Sequence, residues 1–125
     1  MGHVVLIEDD PFLGNIASEK VRSAGYELTF FTTAEDALKE LDGKKPDVIL
    51  LDIVLPKMDG YEFLKLIKEK ESLKSVPVVV LSNLGSQDEI EKGLSLGAIS
   101  YLVKSNITPD DIVKKVEETM SKKGK

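Results

Sequence analysis

The chain of 125 residues contains no cysteine, no tryptophan and a single histidine, His3. Without thiols it builds neither disulfides nor iron–sulfur clusters nor a cysteine-based zinc site. One histidine within the first three residues, where a chain start frays, leaves nothing from which to assemble a Ser–His–Asp or Cys–His machine. Positive charge is also short. Seventeen Lys+Arg face 22 Asp+Glu, a net charge of −5, so direct contact with nucleic acid, which needs a basic face for the phosphates, is not expected. No apolar run approaches the roughly 18 residues of a membrane span, and no cationic start leads into an apolar stretch as in a secretory signal. Leu6 stands where a myristoylation motif beginning at Gly2 wants a hydroxyl residue. The expectation is a cytoplasmic protein with no membrane partner. Its chemistry must come from carboxylates, lysines and hydroxyls.

What is present is a regular alternation. At about 150 residues per domain the chain is one domain, and roughly 70% of the unfolded surface is buried at this size, enough for a core without staples. Four apolar runs, Val4–Ile7, Val48–Leu51, Val78–Leu81 and Ile99–Val103, are rich in β-branched residues and lack period-two alternation. Strands covered on both faces read this way. A fifth run, Glu27–Phe31, is more mixed and suits an edge.

Helical patterns lie between them. Asp10 caps the first, with Pro11 in its first turn, Gly25 as its stop and Leu13, Ile16, Ala17, Val21 and Ala24 as its inward stripe. The second opens at Thr33 and closes at Gly43; the third runs from about Tyr61 to Ser72 and buries Phe63, Leu64 and Ile67. Ser86-Gln87-Asp88-Glu89 fits a capping box, in which Ser and Glu side chains satisfy each other's orphan backbone donors. That fourth helix carries Gly93 and ends at Gly97. Thr108-Pro109 opens the last, whose apolar face is Ile112, Val113, Val116 and Met120. The pattern predicts an α/β fold: a doubly wound, five-stranded parallel sheet with helices on both faces. Residues 1–121 are the expected domain, with Met120 to Lys125 fraying into a basic, flexible tail over 122–125.

The polar residues fall at the strand ends. Glu8-Asp9-Asp10 follows the first run, Asp52 the third, Ser82 the fourth and Lys104 the fifth. In open parallel sheets ligands bind beyond the carboxyl ends of the strands, where strand order reverses. With order 2-1-3-4-5 that point lies between strands one and three, and their ends carry the acids. Neighbouring carboxylates repel unless a cation compensates. An all-oxygen donor set favours a hard ion such as Mg²⁺. Asp52 beside such an ion is a candidate nucleophile toward phosphorus, with Lys104 and Ser82 placed to take up phosphoryl oxygens. Taken singly, each of these residues reads as a cap, a turn or a solvated charge; together at one sheet edge they read as a site.

These pieces resemble the receiver domain of two-component response regulators, a CheY-like family. The matching segments are Val5-Leu6-Ile7-Glu8-Asp9-Asp10, Pro46 to Asp52, Leu55-Pro56-Lys57-Met58-Asp59-Gly60, Pro77 to Ser82, and Gly97-Ala98 followed by Tyr101-Leu102-Val103-Lys104. They cover nearly the whole chain, and the piece running from Asp52 to Gly60 is the most specific. The resemblance implies a signalling switch rather than an enzyme. Asp52 would accept a phosphoryl group from a histidine kinase or phosphotransfer protein. Glu8, Asp9, Asp52 and the backbone carbonyl of Val54 would hold Mg²⁺, with Mn²⁺ as an alternative. Ser82 and Lys104 would contact the phosphoryl group, and Tyr101 would swing inward when Ser82 moves. The output would be contact with a downstream protein target through the fourth helix, fifth strand and fifth helix, either alone or as a domain of a longer protein.

Two positions depart from the family pattern: Asn83 where a small residue is common, and Ser105 where proline is usual, which frees that loop. Val54 and Leu84 are apolar where family members carry polar residues that orient attacking water, so self-dephosphorylation is expected to be slow. Three other readings fit less well or turn on partners. A Mg²⁺-dependent phosphatase with an Asp nucleophile would want an acid at position 54, and a flavin mononucleotide carrier would want a hydroxyl- and glycine-rich loop instead of Glu8-Asp9-Asp10. A receiver-like adaptor that takes no phosphate would keep the same residues.

Overall fold

The computed structural model describes residues 2–41 and 43–123. Five strands, β1 (His3–Ile7), β2 (Glu27–Phe31), β3 (Val48–Leu51), β4 (Val78–Ser82) and β5 (Ser100–Val103), alternate with α1 (Pro11–Ser23), α2 (Ala34–Leu41), α3 (Gly60–Lys68), α4 (Gln87–Ser95) and α5 (Pro109–Lys123). All pairings are parallel, in the order β2-β1-β3-β4-β5. The mixed run Glu27–Phe31 is an edge strand, as its composition suggested. Order reverses between β1 and β3, where Ile7 pairs with Leu51, so Glu8 and Asp52 leave the sheet side by side.

The runs of β1, β3 and β4 have no alternation because both faces are covered, whereas the run Ile99–Val103, expected to be buried alike, forms the second edge strand: β5 is half-buried along its length and Ile99, just before it, is 52% exposed. Val5, Ile7, Ile49, Leu51, Val78 and Val80 pack into one core beneath α2, α3 and α4. Val4, Leu6, Val48, Leu50, Val79 and Leu81 pack into a second beneath α1 and α5. Each fully buried aliphatic side chain contributes on the order of 2 kcal/mol relative to exposure, so the sheet is the rigid frame on which strand-end residues are held.

Most helix punctuation acts as expected. The Asp10 carboxylate accepts the N–H groups of Phe12 and Leu13 at 3.0 and 3.4 Å, and Gly25, Gly43 and Gly97 take the positive φ that ends a helix without a Cβ penalty. Four details differ. His3 is not frayed: it is the first residue of β1, its N–H donates to Asp47 at 2.8 Å, and its ring bonds Thr29 Oγ1. The third helix stops at Lys68, eight residues after Gly60, and the chain continues to Val76 as turns. The reciprocal capping box forms at Thr108 and Asp111. At Ser86 only half is built: Ser86 Oγ accepts the Glu89 N–H at 3.2 Å, while the Glu89 carboxylate turns to Tyr61 instead. Finally, α5 continues past Met120 to Lys123, because Val116 and Thr119 are buried and Met120 packs against the second core. Gly124 and Lys125, the end of the expected tail, lie outside the described residues.

Candidate functional site

Strand ends deliver the charged side chains to one cleft. Glu8 follows β1, Asp52 follows β3 and Lys104 follows β5, and their side chains converge although Asp52 and Lys104 are 52 residues apart. The Lys104 ammonium lies 2.6 Å from Glu8 Oε1 and 3.1 Å from Asp52 Oδ2. Each carboxylate keeps a backbone donor for its other oxygen. The Asp10 N–H donates to Glu8 Oε2 at 3.1 Å, and the Val54 N–H donates to Asp52 Oδ1 at 3.3 Å. Glu8 is 1% exposed and Asp52 4%, so the charges compensate one another away from bulk water.

Burial sets the protonation balance. It pushes the Glu8 carboxyl up to about 7, with the Asp52 charge adding to the rise and Lys104 opposing it. For Lys104 burial works the other way, but the Glu8 hydrogen bond and the two carboxylates outweigh it and hold the ammonium above its ordinary value. Once Glu8 has lost its proton, two nearly dry carboxylates against one ammonium leave a local excess of negative charge.

That excess points to a cation. Carboxylate oxygens of Glu8, Asp9 and Asp52 lie within 4.8 Å of one another, Asp9 being the exposed member. The donors are all oxygen, they converge from two adjacent strand ends, and they open on a cavity of about 460 Å³ that Val54, Asn83 and Lys104 also line. Such a set fits a hard divalent ion, which takes a few carboxylates and keeps room for water or a phosphoryl oxygen. Asp10 borders the cavity, but its carboxylate is occupied as the α1 cap. Phe12, 75% exposed, and Val54, 56% exposed, form an apolar rim.

The two remaining sequence candidates do not line this cavity. Ser82, fully buried at the end of β4, accepts the Leu84 N–H on Oγ at 3.1 Å. Tyr101, half-buried against the first core, donates its hydroxyl proton to the Leu84 carbonyl at 2.6 Å. The single peptide residue Leu84 therefore joins the two hydroxyls, its N–H to one and its C=O to the other. Ser105, beyond Lys104, lies in a 3₁₀ turn over Lys104–Asn106 at the cavity edge.

Spacing and motif alone assign no functional part to Tyr61. Its hydroxyl meets Glu89 Oε2 at 2.5 Å and the Glu89 carbonyl at 2.9 Å. Burial, then Glu89 and Tyr101, push its phenol above the ordinary range. Nothing in the local sequence marks this contact, which joins residues 28 positions apart across two helices.

Known proteins share this fold. The response regulator receiver domain profile matches residues 4–117. The two-component response regulator ORR5 of Oryza sativa subsp. japonica is 35% identical over 112 residues, covering 88% of this chain and 82% of that protein. The transcriptional regulatory protein QseB of Haemophilus influenzae is 35% identical over 81% of this chain but only 45% of its own length. The chain thus spans less than half of several curated relatives it matches. Among solved structures, the Mn²⁺-bound form of response regulator Rcp1 superposes with a TM-score of 0.81 at 30% identity, covering 97% of this chain and 93% of that one.

Proposed function

This chain belongs to the response regulator receiver domains, switches operated by a phosphorylatable aspartate, and from that premise we propose that Asp52 is the acceptor, charged from a phosphohistidine on a histidine kinase or phosphotransfer protein. The observation that carries the reading is the pairing of a nearly buried Asp52 with Lys104 at 3.1 Å inside a cluster of three carboxylates. Asp52 stands beside an ammonium that a phosphoryl oxygen can also use.

An Asp52 carboxylate oxygen attacks phosphorus while the P–N bond to the donor histidine breaks, its electron pair leaving on the imidazole. Glu8, Asp9, Asp52 and the Val54 carbonyl are the residues that would hold Mg²⁺, or Mn²⁺, whose charge offsets the repulsion between an acid cluster and an anionic phosphoryl group. Lys104 then exchanges part of its contact with Glu8 and Asp52 for the new dianion. Ser82 reaches the phosphoryl group from the end of β4, and Leu84 passes that movement to Tyr101. The face built by α4, β5 and α5 is the proposed contact for a downstream protein target, in the cytoplasm and without direct nucleic-acid contact.

Incubation with acetyl phosphate and Mg²⁺, followed by intact-mass analysis, should add one phosphoryl group to the wild type and none to Asp52→Ala. Equal mass gain in both would overturn the assignment; no gain in either would favour an adaptor that takes no phosphate. Val54, on the cavity rim, brings an apolar side chain where attacking water would be oriented, and Leu84 is apolar too. The phosphorylated form should therefore persist for minutes or longer in Mg²⁺ buffer, and decay within seconds would contradict that.

A further inference from the structure

We propose that Tyr61 is a positioning residue of the switch, latching the first turn of α4 to α3 and so fixing the seat that α4 offers to the Tyr101 ring. The inference extends the reading of Tyr101 as the moving aromatic, and it rests on how poorly α4 is otherwise held. Gly93 is the only fully buried residue of that helix, and it has no side chain; Leu94 is 43% exposed. A helix with so little apolar burial opens easily unless something else ties it down.

Tyr61 is that tie. It is buried in the first core at the start of α3, and a buried phenol needs a partner for its proton. The Glu89 carboxylate at 2.5 Å supplies a charged acceptor, and the Glu89 carbonyl lies at 2.9 Å. One turn on, the Lys92 ammonium stands 4.3 Å from the centre of the Tyr61 ring. Both grips lie just before Gly93 in the helix. A Cβ there would stand 2.9 Å from Tyr101 Cδ2 and 3.9 Å from Tyr61 Cε1, so both rings meet α4 at the same bare position. Tyr101 is fixed from its other end by the Leu84 carbonyl, just before the Ser86 cap. Where α4 sits thus decides whether the Tyr101 ring fits, and Tyr61 decides where α4 sits.

Hydrogen exchange of the α4 amides and the NMR signals of the Tyr101 ring test this on the full, unphosphorylated chain. Tyr61→Phe keeps the ring and removes the latch. Exchange across α4 should quicken about tenfold or more, as expected for losing a hydrogen bond to a charged group, and the Tyr101 ring signals should move. Gln87→Ala, which breaks the exposed Gln87–Glu91 bond in the same helix, should do neither. Should Tyr61→Phe fail to fold, Glu89→Gln carries the same test with a smaller rise. Unchanged exchange in α4 would overturn the latch. Faster exchange with Tyr101 signals unmoved would overturn the positioning role and leave a purely structural bond. The assay uses no phosphoryl donor and no divalent ion, so its failure leaves the Asp52 assignment standing.

Discussion

At the β1–β3 end of the sheet the decisive side chains are charged and nearly dry: Glu8 and Asp52 face Lys104 at 2.6 and 3.1 Å. At the β4–β5 end they are neutral hydroxyls and rings, Ser82, Tyr101 and Tyr61, tied to backbone groups and to Glu89 across loops and helices. The first region gathers negative charge that a divalent cation would offset. The second stores alternatives in packing, because a hydroxyl can exchange one partner for another at little cost. In the proposed switch, chemistry falls where the strands end and movement where a helix is thinly buried.

If that division holds, removing charge should hurt the first end far more than removing a hydroxyl hurts the second. Lys104→Met leaves Glu8 and Asp52 facing each other without compensation. We expect a loss of about 3 kcal/mol in chemical denaturation without divalent ions, largely restored by millimolar Mg²⁺; an unchanged midpoint would erase the contrast. Next is pH. In the folded protein Glu8 binds its proton up to about 7, against 4.5 as its reference value. The native state therefore holds more protons than the unfolded state across that window, and stability is highest below it and falls as pH rises through it. Thermal unfolding in EDTA should show this decline, on the order of 2 kcal/mol, and Glu8→Gln should flatten it. A wild type that gains stability over the same range would contradict the burial argument. The smallest effect is expected for Tyr101→Phe, which loses one hydrogen bond to Leu84 and should cost about 1 kcal/mol. A loss as large as that of Lys104→Met would place the second region on the same electrostatic footing as the first.

The same division explains what the sequence made legible. Glu8 and Asp52 each follow a buried apolar run and Lys104 a half-buried one, so parallel topology alone carries them to one rim; period and punctuation sufficed. Ser82 also stands at a strand end, as the last residue of β4, yet its Oγ is turned onto Leu84 within the loop, a rotamer and backbone detail that no spacing encodes. Tyr61 escaped notice for a related reason. Its partner depends on how α3 and α4 pack, and that packing diverted Glu89 from the capping box that local sequence favoured. His3 was misplaced because frayed chain starts are the rule, whereas here the strand begins at once and Asp47 pins its first N–H.

The most direct test of the charged end is to trap the group it is proposed to accept. Treating the protein with acetyl phosphate, reducing it with borohydride and mapping its peptides should convert residue 52, and only residue 52, to homoserine, in the presence of Mg²⁺ but not of EDTA. Conversion at any other carboxylate, or equal conversion of Asp52 in EDTA, would contradict the account.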